Sequence, residues 1–150
     1  MYIFICENSP NGILTGVYDA WSLKIEKNCS HADIFLLSEQ PDNYELFNEF
    51  YTVNPSPIKA EKVASTLRRK LGQDFYDKIL SAILAVELSS KKKMDKANAV
   101  YQTIVTALHS PHGAKVLEHL GNPYIYRVFE LSRATASEAH HLKGFLRFSE

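Results

Sequence analysis

The sequence predicts an α+β domain: a small sheet that includes strands from both ends of the chain, packed against a predominantly helical layer. Three observations predict it. The chain opens on a β-branched and aromatic run at residues 2–6, and two more such runs, 32–37 and 49–53, come after a single helical segment. From Asn54 onward the apolar period changes to 3.6. The last residues, GFLRF, alternate again as a strand does. Strand, helix, strands, a run of helices and a strand is the order of an α+β domain and not of repeated βαβ units.

Each element has a local reason. After residues 2–6, Ser9 and Pro10 offer an N-cap followed by proline at the first helical position. In the helix that follows, Ile13, Leu14, Val17, Tyr18 and Trp21 share one stripe for packing on the first strand, with Thr15, Asp19, Ser22 and Glu26 opposite. The turn signal Gln40-Pro41-Asp42-Asn43 separates the second and third strands, along with a stretch at 44–47 that fits no template. Ser56 and Pro57 repeat the cap-then-proline device, Ala60, Val63, Leu67 and Leu71 line one helical face, and Gly72 ends that helix. Asp74 is placed to cap the next helix, which turns Phe75, Ile79, Ala82, Ile83 and Val86 inward, and Lys91, Lys92 and Lys93 then mark a solvated connection. A fourth helix directs Ala97, Val100, Tyr101, Ile104 and Leu108 inward and Asn98, Gln102 and Thr106 outward until HSPHG breaks it. A short helix at 114–120 reaches Gly121; Asn122 caps and Pro123 opens a last long helix to about His141. Residues 145–148 are then expected to join the same sheet as residues 2–5, because two short strands with an apolar face each have to hide it.

A chain of 150 residues fits a single domain, 1–150, that buries roughly two-thirds of its unfolded surface. Hydrophobic residues make up 45% and charged residues 23%, with a mean hydropathy of -0.20, which excludes disorder and a membrane span as the main reading. Lysine plus arginine equal aspartate plus glutamate at 17 each, so any nucleic-acid surface must be a local patch. The opening MYIFIC lacks a basic flank and a long apolar core and reads as a strand, which places the protein in the cytoplasm. Cys6 and Cys29 show no metal spacing and read as reduced, inert hydrophobes.

Signature motifs for nucleotide, serine-hydrolase, zinc and iron–sulfur chemistry are absent, and no cofactor or metal is called for. Residues 11–16, NGILTG, put glycines at a helix start, where backbone N–H groups can hold an anion; a capped helix whose small residues let the sheet approach is the alternative. The most polar constellation is the last helix and its exit: Arg127, Arg133, His140, His141, Lys143 and Arg147, with Glu130 and Glu138 among them. Arginine forks phosphates and histidine can donate beside it, so this cluster is the leading candidate for binding nucleic acid or a partner. Glu138 and His141 have the spacing of a di-metal carboxylate helix, but no second Glu-x-x-His exists to complete such a site. Lys62, Arg68 and Arg69, with Lys59 and Lys70 nearby, form a secondary basic strip; His109 and His112 flank Pro111 in a turn.

The opening MYIFICENSPNGILTGVYDAW, the middle segments EKVASTLRRKL and KANAVYQTIVTAL, and the close GAKVLEHLGNPYIYRVFELSRATASEAHHLKGFLRF together resemble the bacterial "probable DNA metabolism protein" family. That family contains a domain of unknown function, encoded beside a DNA-repair-type radical-SAM protein and elsewhere fused to a uracil-DNA-glycosylase-like domain. Family members continue well beyond the segment matching GFLRF, so the chain resembles the N-terminal portion of a longer architecture. Leu142 and Ala139 depart from the more polar or methionine-bearing residues of that motif. The resemblance implies an association with DNA repair or modification; with the basic cluster from Arg127 to Arg147 it leads to the expectation of a non-catalytic accessory or adaptor domain that contacts DNA weakly, a radical-SAM or glycosylase partner, or both. The alternatives are a nucleic-acid-processing enzyme drawing acid–base groups from Glu130, Glu138, His140 or His141, and a protein-interaction module that makes no DNA contact.

Overall fold

The computed structural model describes residues 1–87 and 94–148, with side chains described up to 135. Its elements are β1 (Tyr2–Ile5), α1 (Pro10–Lys27), β2 (Ile34–Leu37), β3 (Glu49–Thr52), α2 (Pro57–Leu71), α3 (Gln73–Leu84), α4 (Lys96–His109) and α5 (Pro123–Phe148), with short 3-10 turns at His31–Asp33 and Gly113–Glu118. The fold is α+β. Its sheet has three strands in the order β2-β1-β3, and β1 pairs in parallel with both neighbours. The first two strands and α1 therefore make one βαβ unit.

Register assigns the two faces of the sheet, since paired residues of parallel strands point to the same side. Phe4, Cys6, Ile34 and Leu36 belong to the core that the helices close, and Tyr51 stacks on Phe4 with ring centroids 5.0 Å apart. Ile3, registered with Phe35 and Phe50, lies on the opposite face. Because β2 and β3 flank β1 and run the same way, the 38–48 link must return across β1; its Tyr44 ring meets Phe50 at 4.6 Å.

The proline-opened starts form as the sequence predicts. Ser9 Oγ accepts the Gly12 N–H at 3.0 Å, Ser56 Oγ accepts that of Lys59 at 3.2 Å, and Asn122 Oδ1 accepts that of Tyr124 at 2.9 Å. At α3 the cap position falls on Gly72, at φ 94°, and not on Asp74. Val86 lies beyond that helix and is exposed, since α3 ends at Leu84. The short helix expected at 114–120 is a 3-10 turn at Gly113–Glu118. The lysines 91–93 lie outside the described residues.

Three corrections concern orientation and the C-terminus. Residues 145–148 do not join the sheet: α5 runs through Gly144 to Phe148, and β3 takes the third place beside β1. A four-residue apolar alternation is too short to separate strand from helix. Thr15 is buried, because α2 crosses α1 there; Thr15 Oγ1 accepts the Ser56 N–H at 2.9 Å and donates to the Asn11 carbonyl at 2.6 Å. Asn98 is buried too, because α4 lies along the outer edge of β2, where Asn98 Oδ1 accepts the Leu36 N–H at 3.2 Å. Asp95 accepts the Ser38 N–H at 3.0 Å, and Gln102 Nε2 donates to the His31 carbonyl at 3.2 Å. An edge strand with open amides invites foreign pairing, and α4 closes this edge with side chains.

The small residues of α1 set how near it lies to the sheet. A Cβ on Gly16 would stand 2.3 Å from Cys6 Sγ, and one on Gly12 would stand 2.2 Å from the Glu7 carbonyl oxygen. The close-approach reading of NGILTG is the one the packing supports.

Gly16→Ala is expected to cost about 1–3 kcal/mol, overpacking outweighing the gain in helix propensity. In a Cys6→Ala background the penalty should shrink, a coupling read from denaturant unfolding of the four members of the cycle. Asn98→Ala leaves the Leu36 amide without its acceptor and is expected to cost about 1–3 kcal/mol by the same measurement.

Candidate functional site

Arg127, the first cation of the predicted constellation, points inward. It is 6% exposed; its Nη2 donates to Glu87 at 2.6 Å and its Nε to the Met94 carbonyl at 3.1 Å, with Glu130 at 3.9 Å. Burying a guanidinium is tolerable only with such a complete set of partners, so this group has no fork left for a phosphate. Arg133 is exposed and lies over the Phe129 ring at 5.4 Å. His140, His141, Lys143 and Arg147 lie outside the residues whose side chains are described, as does Glu138. The structure thus splits Arg127 from Arg133.

The basic strip on α2 is a different matter. Arg68 is held by Glu61 at 2.6 Å and lies over the Tyr76 ring, and Lys59 is held by Asp19 at 2.9 Å. Lys62, Arg69 and Lys70 are exposed and have no ion-pair partner among the described residues. Lys62 and Lys70 border a groove of about 360 Å³ between α1 and α2. Tyr18, Trp21 and Ile25 of α1, Val63 and Leu67 of α2, and Ile104 and Leu108 of α4 give it an apolar lining. The volume lies at the low end of sites for small ligands or single bases. Lys62 Nζ stands 5.9 Å from the centre of the Tyr18 ring, near enough for cation–π attraction. The periodicity places Tyr18 and Trp21 on the sheet-facing stripe; at about 100° per residue Tyr18 stands at its margin but Trp21 at its centre, so only Tyr18 carried a signal in the sequence, and the buried face of α1 is instead rotated toward Gly12, Gly16 and Ala20.

Trp21 joins the groove to a second cluster. Its ring lies 4.6 Å from that of His31 and nearly parallel to His109 at 5.8 Å, and the two histidines are 5.5 Å apart. The His31 turn is fixed by reciprocal capping between Ser30 and Asp33. His31 Nδ1 is hydrogen-bonded to the hydroxyl of fully buried Tyr101, and His31 Nε2 is buried with no partner. Burial, then the nearby His109 and Lys24, lowers the His31 pKa to about 4. Burial raises that of Tyr101. His31 is thus a neutral spacer behind Trp21, and the Tyr101 phenol stays protonated.

Other titratable groups serve packing. Lys96 is buried and donates to the Ile83 and Ala85 carbonyls at 2.9 and 2.6 Å, closing the C-terminal end of α3; burial lowers its pKa, against Glu87 and Asp95 and with Arg127. Burial, followed by Asp95 and Asp19, pushes the Cys6 thiol up to about 12, which leaves it unreactive. Cys29 is half-buried, and both cysteines are free. Among the described residues no group of three or more His, Cys, Asp or Glu side chains is placed to hold a metal, and no helix is long and apolar enough to cross a membrane.

The His31 pKa has a consequence for stability. With a folded value of about 4 below an ordinary 6.5, the unfolded chain binds more protons in that window, so stability is complete above about 6.5 and falls as pH drops toward 4. Thermal unfolding from pH 7 to 4 is expected to show this fall, and His31→Asn should flatten it.

Comparison with known proteins adds one match. No curated protein and no solved structure matches the chain. Residues 94–150, which carry α4 and α5 and little more than a third of the chain, match the model of a domain of unknown function, DUF4130; α1 and α2, which build most of the groove, lie outside that match.

Proposed function

We propose that this chain is a non-catalytic accessory domain that contacts single-stranded nucleic acid through the α1–α2 groove. The observation that carries the reading is the combination of Trp21 and Tyr18 in the lining with Lys62 and Lys70 on the border. Aromatic faces accept any base by stacking, and flanking ammonium groups meet the phosphates on either side. Lysine suits this use better than a bidentate reader of sequence, so binding is expected to be weak and tolerant of sequence. A net charge of +0 supports the same expectation, since no long-range field adds to the two local cations. The family resemblance supports a setting in cytoplasmic DNA repair or modification, with a radical-SAM protein or a glycosylase-like domain as the catalytic partner. Arg133 is exposed and stands as a further contact.

Trp21 is the only tryptophan in the chain, so its emission reports directly on the groove. Titration with a thymidine oligomer at low salt is expected to quench it saturably, with a log–log salt slope of about −1.4 for two phosphate contacts on a single strand. Lys62→Glu with Lys70→Glu should abolish the quenching, while Tyr18→Ala should weaken binding by about 1–3 kcal/mol. Absence of quenching by the unmodified protein, or quenching that ignores salt, rejects the reading.

A further inference from the structure

One stretch of this chain is acidic although the totals cancel. Between Lys27 and Lys59 there is no lysine or arginine, whereas Asp33, Glu39, Asp42, Glu45 and Glu49 all fall there. Within that acidic stretch the 38–48 link exposes two adjacent large apolar side chains, Leu46 at 87% and Phe47 at 90%. Single exposed apolar residues are ordinary, but a Leu-Phe pair standing this far out, flanked by Glu45 and Glu49, has the make-up of an anchor. The link is held beneath them: Tyr44 packs on Phe50 and bonds Gln40 at 2.8 Å, and the Asn48 N–H reaches the Glu45 carbonyl at 3.2 Å. An anchor on a tethered turn loses less entropy on docking than one on a free tail.

The complementary surface is on the same molecule. The α1–α2 groove is apolar, has room for large side chains, and is bordered by Lys62 and Lys70, which no carboxylate of the described residues neutralises. We infer that copies of this chain associate head to tail, the 38–48 link of one seating Leu46 and Phe47 in the groove of the next while Glu45 and Glu49 face its lysines. The contact is heterologous, so it adds copies beyond two unless a ring closes. One loop in one groove is a small interface, and its strength belongs in the range of roughly micromolar to millimolar. The inference does not rest on nucleic-acid binding, although both would occupy the same groove.

Sedimentation velocity across a concentration series at low salt tests it. The unmodified protein is expected to rise above the 17.0 kDa monomer mass with concentration and to fall back as salt is added. Leu46→Ser with Phe47→Ser removes the anchor; Lys62→Glu with Lys70→Glu spoils the groove; each double variant alone should stay monomeric. Mixed in equal amounts they should form a species of two chains and go no further, because one supplies the intact groove and the other the intact loop. An unmodified protein that stays monomeric, association indifferent to the loop variant, or a mixture that stays monomeric overturns the inference. Trp21 quenching separates this result from the nucleic-acid reading, since the loop variant keeps an intact groove and retains quenching only where that reading holds.

Discussion

The outer edge of β2 is where the two halves of the molecule are joined. A three-stranded parallel sheet cannot end on a row of open amides next to a helical core, and here the acceptors and donors come from α4. Asp95 accepts from the Ser38 amide, Asn98 from the Leu36 amide, and Gln102 Nε2 donates a hydrogen bond to the His31 carbonyl. These three positions lie about one helical turn apart, so a single helix face matches the strand edge. Intervening residues of the same two turns fasten other elements. Lys96 closes the end of α3 and Tyr101 bonds His31, while just before the helix the Met94 carbonyl accepts from Arg127 of α5. Polar groups at such density in a core are costly unless every one is satisfied, and most of these are.

That constraint decides which cations remain for recognition. Arg127 is drawn inward because α5 must meet both the start of α4 and Glu87, and a buried arginine with three partners is a joint and not a hand. On α2 the selection is made by neighbours instead. Asp19 and Glu61 occupy Lys59 and Arg68, which are worth little to stability as exposed pairs but which leave Lys62 and Lys70 as the open charges beside the groove. Gly16 lets α1 approach Cys6 and Leu36 at the sheet, while Tyr18 and Trp21, on its other flank, line the groove.

Local chemistry made the helix starts readable. Ser9-Pro10, Ser56-Pro57 and Asn122-Pro123 each combine a side-chain acceptor with a residue that lacks the amide the first turn cannot use, and all three open helices. The strands at 34–37 and 49–52 were legible from β-branched and aromatic composition for the same reason. What escaped depends on distance along the chain. Asn98 looks solvent-facing until β2, some sixty residues earlier, is known to offer it an amide. Thr15 looks polar until Ser56 arrives beside it. Arg127 looks like part of a basic cluster until Glu87 is placed 2.6 Å away. Periodicity turns Thr15 and Asn98 toward water and clustering makes Arg127 a candidate contact, and in each case a partner brought by the tertiary fold claims the side chain instead. GFLRF failed differently, because four alternating residues also fit the end of a long helix.

Neutral composition concealed the remaining feature. Equal totals of acid and base describe a molecule with no net field, yet they do not require the charges to be mixed. Here the stretch between Lys27 and Lys59 carries five acids and no lysine or arginine, while Lys62 and Lys70 of α2 have no ion-pair partner among the described residues, so charge of each sign is concentrated locally. An exposed apolar pair in an acidic stretch and an apolar groove bordered by open lysines have a different consequence from a uniformly neutral surface. Under the two proposals a polyanion and the acidic 38–48 link would compete for the same groove, each placing an apolar or aromatic group in it with negative charge beside the lysines. Salt would weaken either association by screening the rim, while the apolar part of the contact persists.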